Sequence, residues 1–141
     1  MRETMPAFIS SQKILFQHCD PARIVFYPRY FEIINAVVEQ WFEEGVCVSF
    51  AEMHMQREEG VPTLKTNAYF PAPSRLGEVL SFSLEIVHMG TSSVELKIIA
   101  ECEDEVRVDA GLTLVHISNL TGKSKPWPDD MRGPMTKYLA A

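Results

Sequence analysis

The hydrophobic pattern of this chain changes its period after one segment, and that change restricts the fold more than any other feature. From Pro28 to Trp41 the apolar residues recur at the i, i+3, i+4, i+7 spacing of one helix face. From about residue 80 onward, apolar and polar residues alternate, which is the pattern of a strand with one buried face. The sequence therefore predicts one long amphipathic helix and, after it, an antiparallel sheet.

The bounds of the helix are predicted from its end residues. Pro28 falls where a first helical turn tolerates proline, and Gly45 is of the type that commonly ends a helix. We therefore expect the helix to run from about Pro28 to Glu44 and to be closed by Gly45. Its aromatic residues are expected to lie in the core, with Tyr30 and Phe31 free to line a ligand pocket as well.

Five strands are predicted around this helix. Alternation marks three of them, and two more are expected before and after the helix, so the set is 8–17, 61–71, 80–86, 94–102 and 106–114. The connectors at 88–92 and 101–105 are short, which favours an antiparallel meander. The predicted fold class is α+β, with a five-stranded antiparallel sheet wrapped around the central helix in a single domain of residues 1–141. Residues 121–141 are expected to form a loop and a short helix near Asp129 to Tyr138.

Composition and charge exclude several classes of protein. Lys and Arg total 13 against 19 Asp and Glu, a net charge of −6, which disfavours nucleic acid as a partner. No apolar run reaches the length of a membrane span, and the amino terminus lacks a cleavage-site pattern, so we expect no membrane partner and a cytoplasmic location. The three cysteines and four histidines share no metal-ligand spacing, so we expect reduced thiols and no metal.

One carboxylate stands out in the segment before the helix. Asp20 follows an apolar run, and Pro21 biases it away from helical geometry, so Asp20 is held at an element boundary shortly before Pro28. A carboxylate near a helix N-terminus can act as general base or nucleophile while a free amide polarises a carbonyl oxygen. The residues alone leave open that Asp20 only caps a turn, a common role for Asp before Pro.

This segment resembles the 4-hydroxybenzoyl-CoA thioesterase family of hot-dog-fold enzymes, which carries the pattern D-P/A-A/G-G-x-V-x-F/Y/W/H-P-x-Y before a central helix. The matching residues are Asp20, Pro21, Ala22, Val25, Tyr27, Pro28 and Tyr30. The resemblance implies that Asp20 is the catalytic carboxylate and that the backbone amide of Tyr27 polarises the thioester carbonyl. It implies an acyl-CoA thioesterase acting on an acyl or aroyl ester, with no cofactor except the coenzyme A of the substrate.

Two residues depart from the family pattern. Arg23 stands where the family often has glycine, so the loop either follows a different backbone path or supplies a cation for CoA. Asn35 stands where the hydroxybenzoyl enzyme uses an acidic residue to bind the ring hydroxyl, so it is a candidate for contact with an acyl substituent. Gly60, in the turn before the next strand, is a further substrate-binding candidate because glycine lets backbone approach a ligand closely.

The carrier of the acyl group and the oligomeric state are also predicted. The cations that could hold CoA phosphates are Arg23, Arg29, Arg75 and Lys65, and a phosphopantetheine arm on a carrier protein is the alternative. An open sheet has edges that invite pairing, and hot-dog relatives join their sheets and place active sites at the subunit boundary. We therefore expect a homodimer, or a tetramer built as a dimer of dimers.

Three other functions are considered for the same residues. A hot-dog hydratase or dehydratase would need a histidine across the pocket, and no histidine follows Asp20 within the motif. A non-catalytic acyl-thioester-binding subunit would use Asp20 as a turn cap. A cysteine nucleophile at Cys19 beside His18 is disfavoured, because neighbours on an extended segment point to opposite faces.

Overall fold

The computed structural model describes residues 7–140, and the expectation for the amino-terminal segment at residues 1–6 lies outside them. The helices are α1 Pro28–Trp41, α2 Phe50–Met55 and α3 Asp129–Met135. The strands are β1 Phe8–Lys13, β2 Glu59–Gly60, β3 Thr63–Tyr69, β4 Val79–Met89, β5 Ser93–Cys102, β6 Glu105–Val115 and β7 Ile117–Ser118. No helix among the described residues is long and apolar enough to cross a membrane.

Five strands form one antiparallel sheet in the order β1-β4-β5-β6-β3. The meander of β4, β5 and β6 occupies its centre, as the alternation predicts. β5 and β6 are joined by a two-residue turn in which both Glu103 and Asp104 have positive φ, the geometry that matches the twist of a tight hairpin. A separate two-stranded sheet pairs β2 with β7.

The core lies between α1 and the concave face of the sheet. The apolar face of α1 is buried, and the inward residues of β4 are completely buried. These residues belong to one apolar cluster, which includes Ile34, Val37, Trp41, Leu80, Phe82, Leu84, Ile98 and Leu114. The predicted hot-dog architecture, a five-stranded antiparallel sheet around one long helix, is thereby confirmed.

The predicted helix end at Gly45 is wrong. After Trp41 the chain continues through a π-helical turn, Phe42–Val46, and the left-handed residue that ends it is Cys47, with φ of 67°. Gly45 is buried inside this turn because the Trp41 ring and the Tyr138 hydroxyl occupy the space where a side chain would stand. Packing against two aromatic residues, not chain reversal, therefore explains this glycine.

Candidate active site

Asp20 lies at the tip of a short antiparallel ribbon that Cys19 and Val25 close. The Asp20 amide donates to the Ile24 carbonyl at 3.1 Å, and the Arg23 amide donates to the Asp20 carbonyl at 2.9 Å. The side chain takes part as well, since the Ala22 amide donates to Asp20 Oδ1 at 2.8 Å. The half-buried Asp20 side chain therefore caps the turn through Oδ1. Its other oxygen, Oδ2, has no hydrogen-bond partner among residues 7–140.

The ribbon is docked onto the segment that leads into β4. Val25 donates to the Ser74 carbonyl at 2.9 Å, and Leu76 donates to the Arg23 carbonyl at 3.2 Å. These bonds fix the position of the Asp20 turn against residues 74–76.

Arg23 has φ of 68°, the left-handed region that favours glycine. The arginine thus keeps a backbone conformation that a glycine could also adopt, so no different loop path is needed to accommodate it. Its side chain is exposed at the end of the ribbon, where a cation can meet an anionic ligand.

The N-terminus of α1 begins at the other end of the ribbon. Phe26 donates to the His18 carbonyl at 3.0 Å, and Tyr27 is the capping residue before Pro28. Proline has no amide hydrogen, so the Tyr27 amide is the last donor before the helix, and it has no acceptor among residues 7–140. Asp20 pairs with Ile24 in the ribbon, and Tyr27 follows three residues after Ile24, where the helix begins. Their catalytic roles stay predictions.

Two of the predicted substrate-binding residues line one cavity. Phe31 and Asn35, one helical turn apart on α1, face a space of about 240 Å³ together with Ile34, Thr63, Thr66 and Leu112. Tyr30 does not belong to this cavity, because its ring is buried and stacks on Phe70 with centroids 4.7 Å apart. The structure thus separates Tyr30, a core residue, from Phe31 and Asn35, which an acyl group could touch.

Gly60 lies in β2, opposite Ile117 of β7. It lines a second cavity of about 290 Å³ between α2 and β7, with Phe50, His54, Val61, Pro62, Ile117 and Asn119. The sequence did not indicate His54 or Asn119, because α2 is too short to show a hydrophobic period and β2 and β7 have two residues each.

The electrostatics of His18 and Cys19 argue against a thiolate nucleophile. Burial raises the pKa of the Cys19 thiol, and the neighbouring Asp20 raises it further. Burial lowers the pKa of His18, whose Nδ1 accepts a hydrogen bond from the Leu15 amide at 2.9 Å. Both shifts favour the neutral forms, whereas a cysteine nucleophile needs a thiolate beside an imidazolium.

The predicted phosphate-binding cations are dispersed on the surface. Arg29 donates to both oxygens of Glu32 at 3.0 and 3.1 Å, and Lys65 lines a shallow cavity with Asn67 and Glu95. Arg75 lies beside the ribbon, since residue 75 bridges to Ile24. Arg23 in the turn and Arg75, whose backbone bridges to Ile24, are therefore two cations whose backbones lie in or against the ribbon that carries Asp20.

A long helix packed against a five-stranded antiparallel sheet defines the class of hot-dog proteins. The family model described as the thioesterase superfamily matches residues 33–108, and the chain belongs to this superfamily. The predicted family and the predicted class of thioester hydrolase are thereby confirmed. The match begins after the Asp20 to Tyr30 motif, so it rests on residues other than those that carry the resemblance.

Solved structures share the fold at low sequence identity. A 1,4-dihydroxy-2-naphthoyl-CoA thioesterase from Synechocystis has 16% identity and a TM-score of 0.84, covering 93% of this chain and 96% of its own. A Staphylococcus aureus protein solved in complex with CoA has 16% identity and a TM-score of 0.87, covering 100% and 90%. A gentisyl-coenzyme A thioesterase has 18% identity and a TM-score of 0.80, covering 91% and 99%. No sequence among the curated proteins matches this chain significantly.

Proposed function

We propose that this protein is an acyl-CoA thioesterase in which Asp20 acts as general base or nucleophile and the Tyr27 amide polarises the thioester carbonyl. The reaction adds water across the carbon–sulfur bond, releasing a free acid and a thiol, and it requires no metal or redox cofactor. The observation that supports it best is the shared ribbon that holds Asp20 at its tip and Tyr27 at its base.

The turn leaves one side of the carboxylate available for chemistry. Oδ1 is occupied by the Ala22 amide, which orients the group, and Oδ2 has no described partner. A fixed carboxylate with one open oxygen can take a proton from water or attack a carbonyl directly. The Tyr27 amide, backed by the dipole of the 14-residue helix α1, offers a donor where negative charge develops on the carbonyl oxygen.

Two substitutions at one position separate catalysis from turn capping. Asp20→Asn keeps an oxygen that can accept from Ala22 but loses the carboxylate, whereas Asp20→Ala loses both. We expect Asp20→Asn to retain the wild-type melting temperature and to lose about a hundredfold or more in kcat, measured as thiol release. A fully active Asp20→Asn enzyme would remove the proposed mechanism and leave Asp20 with the role of a turn cap only.

The acyl group is proposed to enter the cavity of Phe31 and Asn35. An aromatic ring beside Phe31 and a polar amide at Asn35 suit an aroyl or substituted acyl group. Named relatives of the same fold act on naphthoyl-CoA and gentisyl-CoA, which supports including aroyl esters in the first substrate panel. Thiol release across aroyl, short-chain and long-chain acyl-CoA esters, with Asp20→Asn as control, identifies the preferred class.

We further propose a homodimer joined through β3. This strand pairs with β6 on one side, and six of its seven residues are exposed. It also presents Leu64 and Tyr69, 72% and 67% exposed. An exposed apolar edge strand pairs readily with a second copy across a twofold axis. Light scattering after size exclusion tests this: a wild-type monomer at micromolar concentration contradicts the dimer, and Leu64→Glu is expected to weaken it.

A further inference from the structure

Two hydrogen-bond acceptors of the cavity between α2 and β7, His54 Nε2 and Asn119 Oδ1, both lie close to Gly60. A Cβ placed on Gly60 would stand 2.8 Å from Asn119 Oδ1 and 3.5 Å from His54 Nε2. The absence of a side chain at residue 60 therefore opens a space between these two atoms. A residue larger than glycine would fill it.

The bonds made by the other ends of both side chains fix their orientation. His54 Nδ1 lies 2.9 Å from the Phe50 carbonyl oxygen, which can only accept, so Nδ1 carries the hydrogen and Nε2 of the neutral ring is an acceptor. Asn119 Nδ2 donates to the Glu59 carbonyl at 2.9 Å, so Oδ1 is turned toward Gly60. Neither Nε2 nor Oδ1 has a hydrogen-bond partner among residues 7–140.

The wall that carries Gly60 is anchored from behind. Glu59 is buried, and its Oε2 accepts from Lys125 Nζ at 2.8 Å while its Oε1 lies 3.1 Å from His116 Nε2. The ring of His116 is itself packed against Trp127. The backbone at residues 59–60, which the two acceptors border, is therefore fixed in place by these contacts.

The chemistry of the lining selects one kind of group. His54 Nε2 and Asn119 Oδ1 are both acceptors, so they would repel the oxygen lone pairs of a phosphate or carboxylate. No acidic side chain lines the cavity to attract an ammonium group. The remaining walls, Phe50, Val61, Pro62 and Ile117, are largely apolar. A neutral N–H donor on a partly apolar chain fits this arrangement, and an amide of the pantetheine arm is such a donor.

We propose that His54 and Asn119 form a subsite for an amide N–H of the pantetheine arm, and that the subsite serves the Asp20 of the other protomer. The proposal rests on the proposed thioesterase function and dimer. If β3 pairs with its copy about the central Thr66, Thr63 lies opposite Tyr69 of the second copy. If the same register continues to residue 60, Gly60 lies beside the 70–74 segment of the second copy. That segment leads to the ribbon, which is docked through the hydrogen bond from the Val25 amide to the Ser74 carbonyl.

Kinetics with two esters of one acid test the subsite. His54→Ala and Asn119→Ala each remove one acceptor, and Gly60→Ala places a methyl group in the space between the acceptors. For each variant we expect the KM for the CoA ester, divided by the KM for the ethanethiol ester, to rise about threefold to tenfold, as for the loss of one hydrogen bond. His88→Ala, at an exposed histidine on β4, is the matched control. An unchanged ratio in all three variants would overturn the subsite.

A mixed dimer tests its placement. In a heterodimer of Asp20→Asn with His54→Ala/Asn119→Ala, the proposed arrangement leaves one site with both Asp20 and an intact subsite. We expect that heterodimer, purified with two affinity tags, to show a wild-type KM for the CoA ester at about half of the wild-type kcat. A KM as high as that of the double variant would place subsite and Asp20 in one protomer and overturn the arrangement.

Direct binding separates this proposal from the proposed function. We expect pantetheine to shift the NMR signals of His54, Gly60 and Asn119 in the wild-type protein and to bind more weakly to Gly60→Ala. If wild-type protein hydrolyses no thioester but shows these shifts, the proposed function fails and the subsite stands. If it hydrolyses CoA esters and pantetheine leaves these signals in place, the subsite fails alone.

Discussion

The guanidinium of Arg107 forms a two-point pair with Glu78. Nη1 lies 2.7 Å from Oε1, and Nη2 lies 3.2 Å from Oε2. Arg107 is 5% exposed and also donates to the Pro73 carbonyl at 3.1 Å. This arginine therefore ties β6 to the 73–78 segment, the same segment onto which the Asp20 ribbon is docked.

Removal of this arginine is expected to cost much stability. Arg107→Gln breaks a largely buried pair and leaves Glu78 without its main partner, so we expect the free energy of unfolding in urea to fall by about 3 kcal/mol. Arg29→Gln breaks the exposed pair with Glu32 and is expected to cost less than about 1 kcal/mol. Equal losses in the two variants would show that Arg107 is not an anchor.

The same pair predicts a loss of stability in acid. Hydrogen bonds from Arg107 hold the pKa of Glu78 below its ordinary value, against the opposing effect of burial. A carboxylate whose folded pKa is lowered adds stability above its unfolded pKa, about 4.5, and loses it as the pH falls through the folded value. We expect the melting temperature to fall as the pH drops below about 4.5, and to fall less steeply in Glu78→Gln. Parallel curves for the two proteins would contradict this role.

Substitution of Arg23 by glycine distinguishes backbone strain at this residue from a role in ligand binding. Arg23→Gly removes a side chain from a φ of 68° but also frees the unfolded chain, so we expect a net change in unfolding free energy within about 1 kcal/mol. If the guanidinium contacts CoA phosphates, the KM for CoA esters rises several-fold while the ethanethiol ester is affected less. Equal KM changes for both esters would assign Arg23 a structural role alone.

Two glycines in helical turns provide a matched test of packing. In Gly45→Ala the new Cβ would stand 2.7 Å from the Trp41 ring and 2.9 Å from the Tyr138 hydroxyl, so we expect a loss of about 1–3 kcal/mol. In Gly133→Ala, within α3, the new Cβ meets no atom within 4 Å, so we expect no loss and a gain of up to about 1 kcal/mol. Thermal or urea unfolding of both variants measures the difference, and a harmless Gly45→Ala would show that the π-helical turn adapts.

Local periodicity explains how much of the fold was predictable. The apolar stripe of α1 and the alternation in β4, β5 and β6 are determined by which side chains face one common core, so they can be found without knowing the partners. The helix end could not, because Gly45 is buried by Trp41 and by Tyr138 from the far end of the chain. A rule based on neighbouring residues assigns Gly45 to the helix end, whereas in the folded chain the contact with Tyr138 determines why residue 45 is a glycine.

For the candidate site, the sequence by itself determined the Asp20 to Tyr30 motif, because a carboxylate, a proline turn and a helix start follow one another along the chain. Only the tertiary structure decided that Phe31 and Asn35 share a cavity while Tyr30 is core. Only the tertiary structure brought His54 and Asn119 to Gly60, through a two-residue strand pair that has no period to detect. The physical reason is the same: short-range order is encoded by neighbours in sequence, whereas a cavity is formed by residues that become neighbours only when the chain is folded.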